Sequence, residues 1–142
     1  MKPKLIFPIL TAAMVIIIWG HSFMPGELSG NESGAVVDFL RELFHFTGDI
    51  DTAVRKCAHF FEYMALGILF SIDFYLYTGS PLQPATFVPG LFVPQTDETI
   101  QLFTPDRAGS LLDVWLDFTG YVTGVIFCTV IYKVVCKKHK AS

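Results

Sequence analysis

The sequence predicts an all-α integral membrane protein, a four-helix transmembrane bundle with an amphipathic helix on its outer side. Three observations carry this. Apolar residues make up 52% of the 142-residue chain and only 16% are charged, against about 25% charged in an ordinary soluble domain. A soluble domain this small buries the smallest fraction of its chain and has nowhere to hide that much apolar surface. Second, four segments approach the roughly 20 mostly apolar residues that cross a bilayer. Third, lysines flank both ends: Lys2 and Lys4 at one, and Lys133, Lys137, Lys138 and Lys140 at the other. Cytoplasmic flanks attract Lys and Arg, so both termini are expected inside and the number of crossings is even. The same composition excludes intrinsic disorder. A net charge of −3 leaves no basic footprint for nucleic acid.

The first span is read over 5–23. Lys2 and Lys4 could open a signal peptide with Gly20-His21-Ser22 as a poor small-x-small cleavage site, but its removal would break the parity of crossings, so this segment is expected to be a retained helix. Between 24 and 56 lies an outer loop. Within it Val36, Val37, Leu40, Leu43 and Phe44 form one apolar stripe, with Asp38, Arg41, Glu42 and His45 on other faces: a short helix lying in the outer interface or covering the bundle. The second span is read over 56–78, with Asp51 as its N-cap. The third, over 82–103, is the weakest, because Pro84, Pro89 and Pro94 interrupt it. Parity still requires it. Its prolines predict a kink or break between Pro84 and Pro94, tolerable only where the freed backbone groups face protein or water. The fourth span is read over 111–135. The whole chain, 1–142, forms one domain. Cys57, Cys128 and Cys136 follow no spacing pattern and read as free thiols. Trp19 and Trp115 are placed at the outer boundary as belt residues. Asp73 stands alone in the inner half of the second span.

The ionisable residues of the spans gather at one depth. Lys56, His59 and Tyr63 share one stripe of the second helix, with Glu62 beside it. Asp97 and Gln101 lie one turn apart at the end of the third. Arg107 and Ser110 follow in the turn, and Asp113 and Asp117 open the fourth. Charged groups within a bilayer turn toward the bundle interior or a wet cavity, so these stripes are expected to converge on the outer side. A salt-bridge network that pins the helix ends explains the same residues without a ligand. The variety of groups favours a site. Gly120 and Gly124 form a GxxxG pair, expected to let two helices of the bundle cross closely.

These residues resemble a known family. Lys56-Cys57-Ala58-His59-Phe60-Phe61-Glu62-Tyr63 is similar to the first motif of the VanZ-like membrane proteins, Lys-x-x-His-Phe-x-x-Tyr. Asp97-Glu98-Thr99-Ile100-Gln101, Pro105-Asp106-Arg107 and Ser110-Leu111-Leu112-Asp113 resemble the second, Asp-Glu-x-x-Gln, Pro-x-Arg and Ser-x-x-Asp. Two positions depart from the pattern. Asp117 stands where the family usually has Asn, and Asp106 where the turn is often Pro-Gly-Arg. The resemblance implies a multi-pass cell-membrane protein linked to tolerance of the lipoglycopeptide teicoplanin. It implies no agreed activity.

Two functions compete. The first is a binding protein of the outer leaflet whose polar cluster takes the headgroup of a lipid-linked cell-wall precursor or of the lipoglycopeptide. Lys56, Tyr63, Asp97, Gln101, Ser110 and Asp117 are its ligand-binding candidates, with Arg107 and Lys56 as phosphate partners. The second is an intramembrane hydrolase or transferase acting on a lipid-linked substrate. His59 is then the general base, Glu62 or Asp113 orients it, and Arg107 stabilises the anion. Lys56 and Ser110 are the nucleophile candidates. A metal site from His59, Glu62, Asp97 and Asp113 lacks a second imidazole in reach other than His21 or His45, so no metal ligand is expected. The cofactor, if any, is unknown.

Overall fold

The computed structural model describes residues 3–26, 34, 37–39, 42 and 51–140, with side chains as far as 135. No strand occurs among them. Helix α1 spans Pro3–Ser22 and α2 spans Asp51–Thr78. A single 3-10 turn, Pro84–Thr86, leads into α3, Phe87–Leu102, and α4 spans Leu111–Lys140. The amphipathic helix read over 36–44 lies largely outside the described residues. Val37, Asp38, Phe39 and Glu42 are helical there, with Val37 buried and the other three exposed.

Among the described residues three helices are long and apolar enough to cross a membrane: Pro3–Ser22, Asp51–Thr78 and Leu111–Val135, with hydropathies of 1.9, 1.3 and 1.6. The third expected span is different. Its α-helix has only 16 residues, about 24 Å at 1.5 Å per residue, against a hydrocarbon core of about 30 Å. The break falls where the prolines begin. Pro84 opens the 3-10 turn, whose start is held by Gln83 N–H donating to Thr86 Oγ1 at 3.2 Å. Pro89 occupies the first turn of α3, where its missing N–H costs nothing. Pro94 lies inside the helix without ending it.

The distribution of polarity is that of a protein surrounded by lipid. Ile16, Val88, Phe92, Leu111, Leu112, Ile126 and Phe127 are exposed, while Asp97, Glu98, Gln101 and Asp117 are buried. Such an arrangement is costly in water and expected in a bilayer, where polar side chains turn inward.

The most extensive helix contact joins α2 to α4. A Cβ on Gly120 would overlap the Phe60 carbonyl, one on Gly124 the Met64 carbonyl, and one on Gly67 the Tyr121 carbonyl. The GxxxG pair is therefore an internal crossing in which small residues let two backbones meet. Around it lies a core of Ile18, Tyr63, Leu66, Val93, Tyr121 and Val125. Buried Tyr121 donates to the Thr86 carbonyl at 2.7 Å, tying α4 to the 3-10 turn. Trp19, half-buried, packs on the core and donates to the Val93 carbonyl at 3.3 Å. Asp73 is also not alone, since Thr11 donates to its Oδ2 at 2.7 Å across α1 and α2.

Candidate functional site

Four chain segments meet at the end of the bundle where α1 and α3 finish and α4 begins. From α1 comes Ser22, buried, donating through Oγ to Asp97 Oδ1. From α3 come Asp97, Glu98 and Gln101, all buried in its last turns. Gln101 Nε2 donates to Asp97 Oδ2 and to Glu98 Oε1, both at 3.3 Å. Helical spacing permits this, since residues three and four apart share a face. Glu98 Oε2 accepts the Ser110 backbone N–H at 2.6 Å. The Ser110 carbonyl in turn accepts from Asp113 and Val114 at 3.0 and 3.2 Å, so Ser110 starts α4.

From α2 comes His59, wedged between two wholly buried aspartates. Its Nδ1 is 3.7 Å from Asp117 Oδ2 and 4.0 Å from Asp97 Oδ2. Lys56, one turn outward, is bonded to Asp113. Tyr63, one turn inward, is buried with its ring in the core. A cavity of about 210 Å³ opens above these groups, lined by Arg55, Lys56, His59, Glu98, Gln101, Arg107, Asp113 and Asp117 among others. Exposed Arg55 and half-buried Lys56 stand toward its mouth, and buried Asp117 lies on its floor.

The candidates read from sequence are thus mostly neighbours, but their pairing differs in detail. The imidazole faces Asp97 and Asp117, not Asp113 or Glu62. Glu62 turns to His21, whose Nδ1 is 3.6 Å from its Oε1. Ser110 contributes its backbone to the cluster and is not among the residues lining the cavity. Arg107 donates through Nε to the Met24 carbonyl at 3.2 Å and through Nη2 to the His21 carbonyl at 3.1 Å. The reason is local. His21 is in the last turn of α1 and Met24 lies two residues beyond its end, and the negative dipole end of the helix attracts a cation.

Ser22 was not anticipated. Its signal was available in the spacing of Thr11, Ile18 and Ser22, which puts one apolar and two polar residues on a single buried face of α1. Thr104, buried beside it, was also missed; its Oγ1 donates to the Ser22 carbonyl at 2.9 Å.

Chemically, the arrangement offers an imidazole flanked by carboxylates, an ammonium and a guanidinium at a wet mouth, and an amide that orients two acids. A family model described as VanZ/LLP1 matches residues 7–132, most of the chain. No curated protein and no solved structure matches the chain.

Proposed function

The chain belongs to the VanZ/LLP1 family, and on that premise we propose that its polar cavity binds the headgroup of a lipid-linked cell-wall precursor or of a lipoglycopeptide at the outer leaflet. Family membership supports a VanZ-like protein linked to glycopeptide resistance. The lysines at the two ends support cytoplasmic termini, with the cavity on the outer side. The observation that carries the binding reading is the graded polarity of the cavity. Cationic Arg55, Lys56 and Arg107 line it together with buried acids and an amide. Cations at a mouth open to the headgroup region attract phosphate, and Arg supplies two parallel donors to it.

A second reading, a hydrolase or transferase with His59 as general base, draws support from the imidazole lying beside two buried carboxylates. Carboxylates in this position orient a base and stabilise its protonated form. Against it stands the nucleophile: Lys56 is bonded to Asp113, and Ser110 is not among the residues lining the cavity.

One preparation tests both. Protein in nanodiscs is titrated with fluorescent teicoplanin and with a lipid-linked precursor. Saturable binding without turnover is expected, and Arg107→Lys should lose it while the variant still inserts and accumulates, because an ammonium cannot reproduce the planar fork. Full binding by Arg107→Lys, and full teicoplanin tolerance in cells carrying it, would reduce the guanidinium to a counter-charge. Turnover abolished by His59→Ala would establish the enzyme instead.

A further inference from the structure

We propose that His59, Asp97 and Asp117 hold a divalent cation between α2, α3 and α4, on the floor of the cavity. This goes beyond the headgroup reading and does not rest on it. One ligand atom from each residue lies within 4.8 Å of the others. Two ligands that share an ion at bond lengths of about 2.0–2.2 Å stand about 3–4.4 Å apart. The distances from His59 Nδ1, 3.7 and 4.0 Å, fall in that interval.

A second observation points to the same place. Asp117 is wholly buried and lines the cavity, yet no donor lies within 3.5 Å of either carboxylate oxygen among the described residues, and His59 Nδ1 stands 3.7 Å from Oδ2. A buried carboxylate without hydrogen bonds is costly. Asp97, equally buried, stands on the other side of the same imidazole. Even a protonated His59 balances only one of the two negative charges. Lys56 is bonded to Asp113, Glu98 accepts from Ser110 and Gln101, and the buried Tyr63 hydroxyl near Asp97 brings no positive charge. A divalent ion bound by a neutral imidazole and two carboxylates supplies both missing charges and gives Asp117 the close partner it lacks.

The surroundings suit a metal site in a further respect. Asp97 is held from behind by Ser22 Oγ and Gln101 Nε2. Groups of this kind fix the direction of a ligating carboxylate. One imidazole with two carboxylates matches a first-row ion such as Zn²⁺ or Mn²⁺. The positions not taken by protein face the cavity, where water or an anionic oxygen can complete the coordination.

The test uses the full chain in detergent, stripped with EDTA and then equilibrated with Mn²⁺ or Zn²⁺ alone, without lipid precursor or antibiotic. One ion per chain is expected, together with a rise in melting temperature that grows with metal concentration. Asp117→Asn should weaken binding more than about 10-fold, and Asp73→Asn, an acid in the other half of α2, should not. Should Asp117→Asn fail to fold, the wild-type protein still decides. Electron spin-echo spectra of bound Mn²⁺ should show coupling to a single histidine nitrogen. No stoichiometric ion, a bound ion without nitrogen coupling, or equal loss in both variants overturns the site. A proton shared by the two aspartates would give the first of these outcomes.

Discussion

At the scale of single residues, Asp106 shows how a backbone requirement surfaces in the sequence. It sits in the turn between α3 and α4 with φ of 57°, the only positive φ of a non-glycine among the described residues. The resemblance had marked this position, because the related turn often carries glycine there. The left-handed conformation costs an L-residue about 1–2 kcal/mol, less for Asp and none for Gly. The Asp106 carbonyl also packs so closely on Gly26 that a Cβ there would overlap it, and Gly26 N–H donates to the Pro105 carbonyl at 3.2 Å. The turn is thus locked to the end of α1. Asp106→Gly is expected to leave the detergent melting temperature unchanged or raise it, by up to about 1 kcal/mol of stability. Asp106→Val should lower it, because a β-branched side chain is a steric outlier at this φ. Equal melting temperatures for the two variants would show that the turn relaxes. Arg107, the next residue, was marked by its motif, but its backbone partners were not. Two of its acceptors are carbonyls at and just beyond the end of α1, more than 80 residues away in sequence, and a backbone carbonyl leaves no mark in a sequence pattern.

At the scale of elements, the apolar runs foretold α1, α2 and α4 closely, because a helix in lipid must satisfy all its own backbone groups and its length is set by the bilayer. Their observed bounds, Pro3–Ser22, Asp51–Thr78 and Leu111–Lys140, begin two to five residues before the spans expected at 5–23 and 56–78, and coincide with the start at 111. The element between them was less legible. Three prolines announced an interruption, and the structure puts it at the entry of α3, with a continuous helix through Pro94. The choice between kink and break depends on what the freed groups meet, which is tertiary. Close contact between α2 and α4 rests on Gly67, Gly120 and Gly124. Gly124→Leu should therefore push the helices apart and cost about 1–3 kcal/mol as an overpacking change, read as a lower melting temperature and reduced accumulation. Gly20→Ala is the control, since a Cβ there meets nothing within 4 Å. Similar losses for both would mean that the glycines matter for helix dynamics and not for the crossing.

At the scale of the whole molecule, charge orders the protein twice. Lysines mark its two ends, and the buried acids gather at one end of the bundle, where α1 and α3 finish and α4 starts. Among the described residues three helices reach the length of a crossing, and the short α3 makes a fourth only if the bilayer thins locally or the 3-10 turn shares its depth. The expected topology follows from the lysines: an even number of crossings, termini inside and the cavity outside. In a variant with Cys57, Cys128 and Cys136 replaced by Ser, a cysteine introduced at Ser29 should react with an impermeant thiol reagent on intact cells, and one at Ser142 should not. Labelling of the Ser142 position from outside would reverse the orientation and remove the cavity from the outer leaflet.

What the sequence determined by itself was the solvent and the depth. Bilayer energetics act on each helix separately, so apolar length, flanking lysines and the common level of Lys56, His59, Gln101 and Asp113 could be read one segment at a time. The tertiary structure alone decided which groups face one another. His59 lies between Asp97 and Asp117 because the glycines of α4 admit α2 closely and Ser22 of α1 holds Asp97 in place. Helical phase confines a side chain to a sector of about 100°. Choosing one carboxylate over another within that sector takes distances of a few ångströms, and these are set only when all four helices pack.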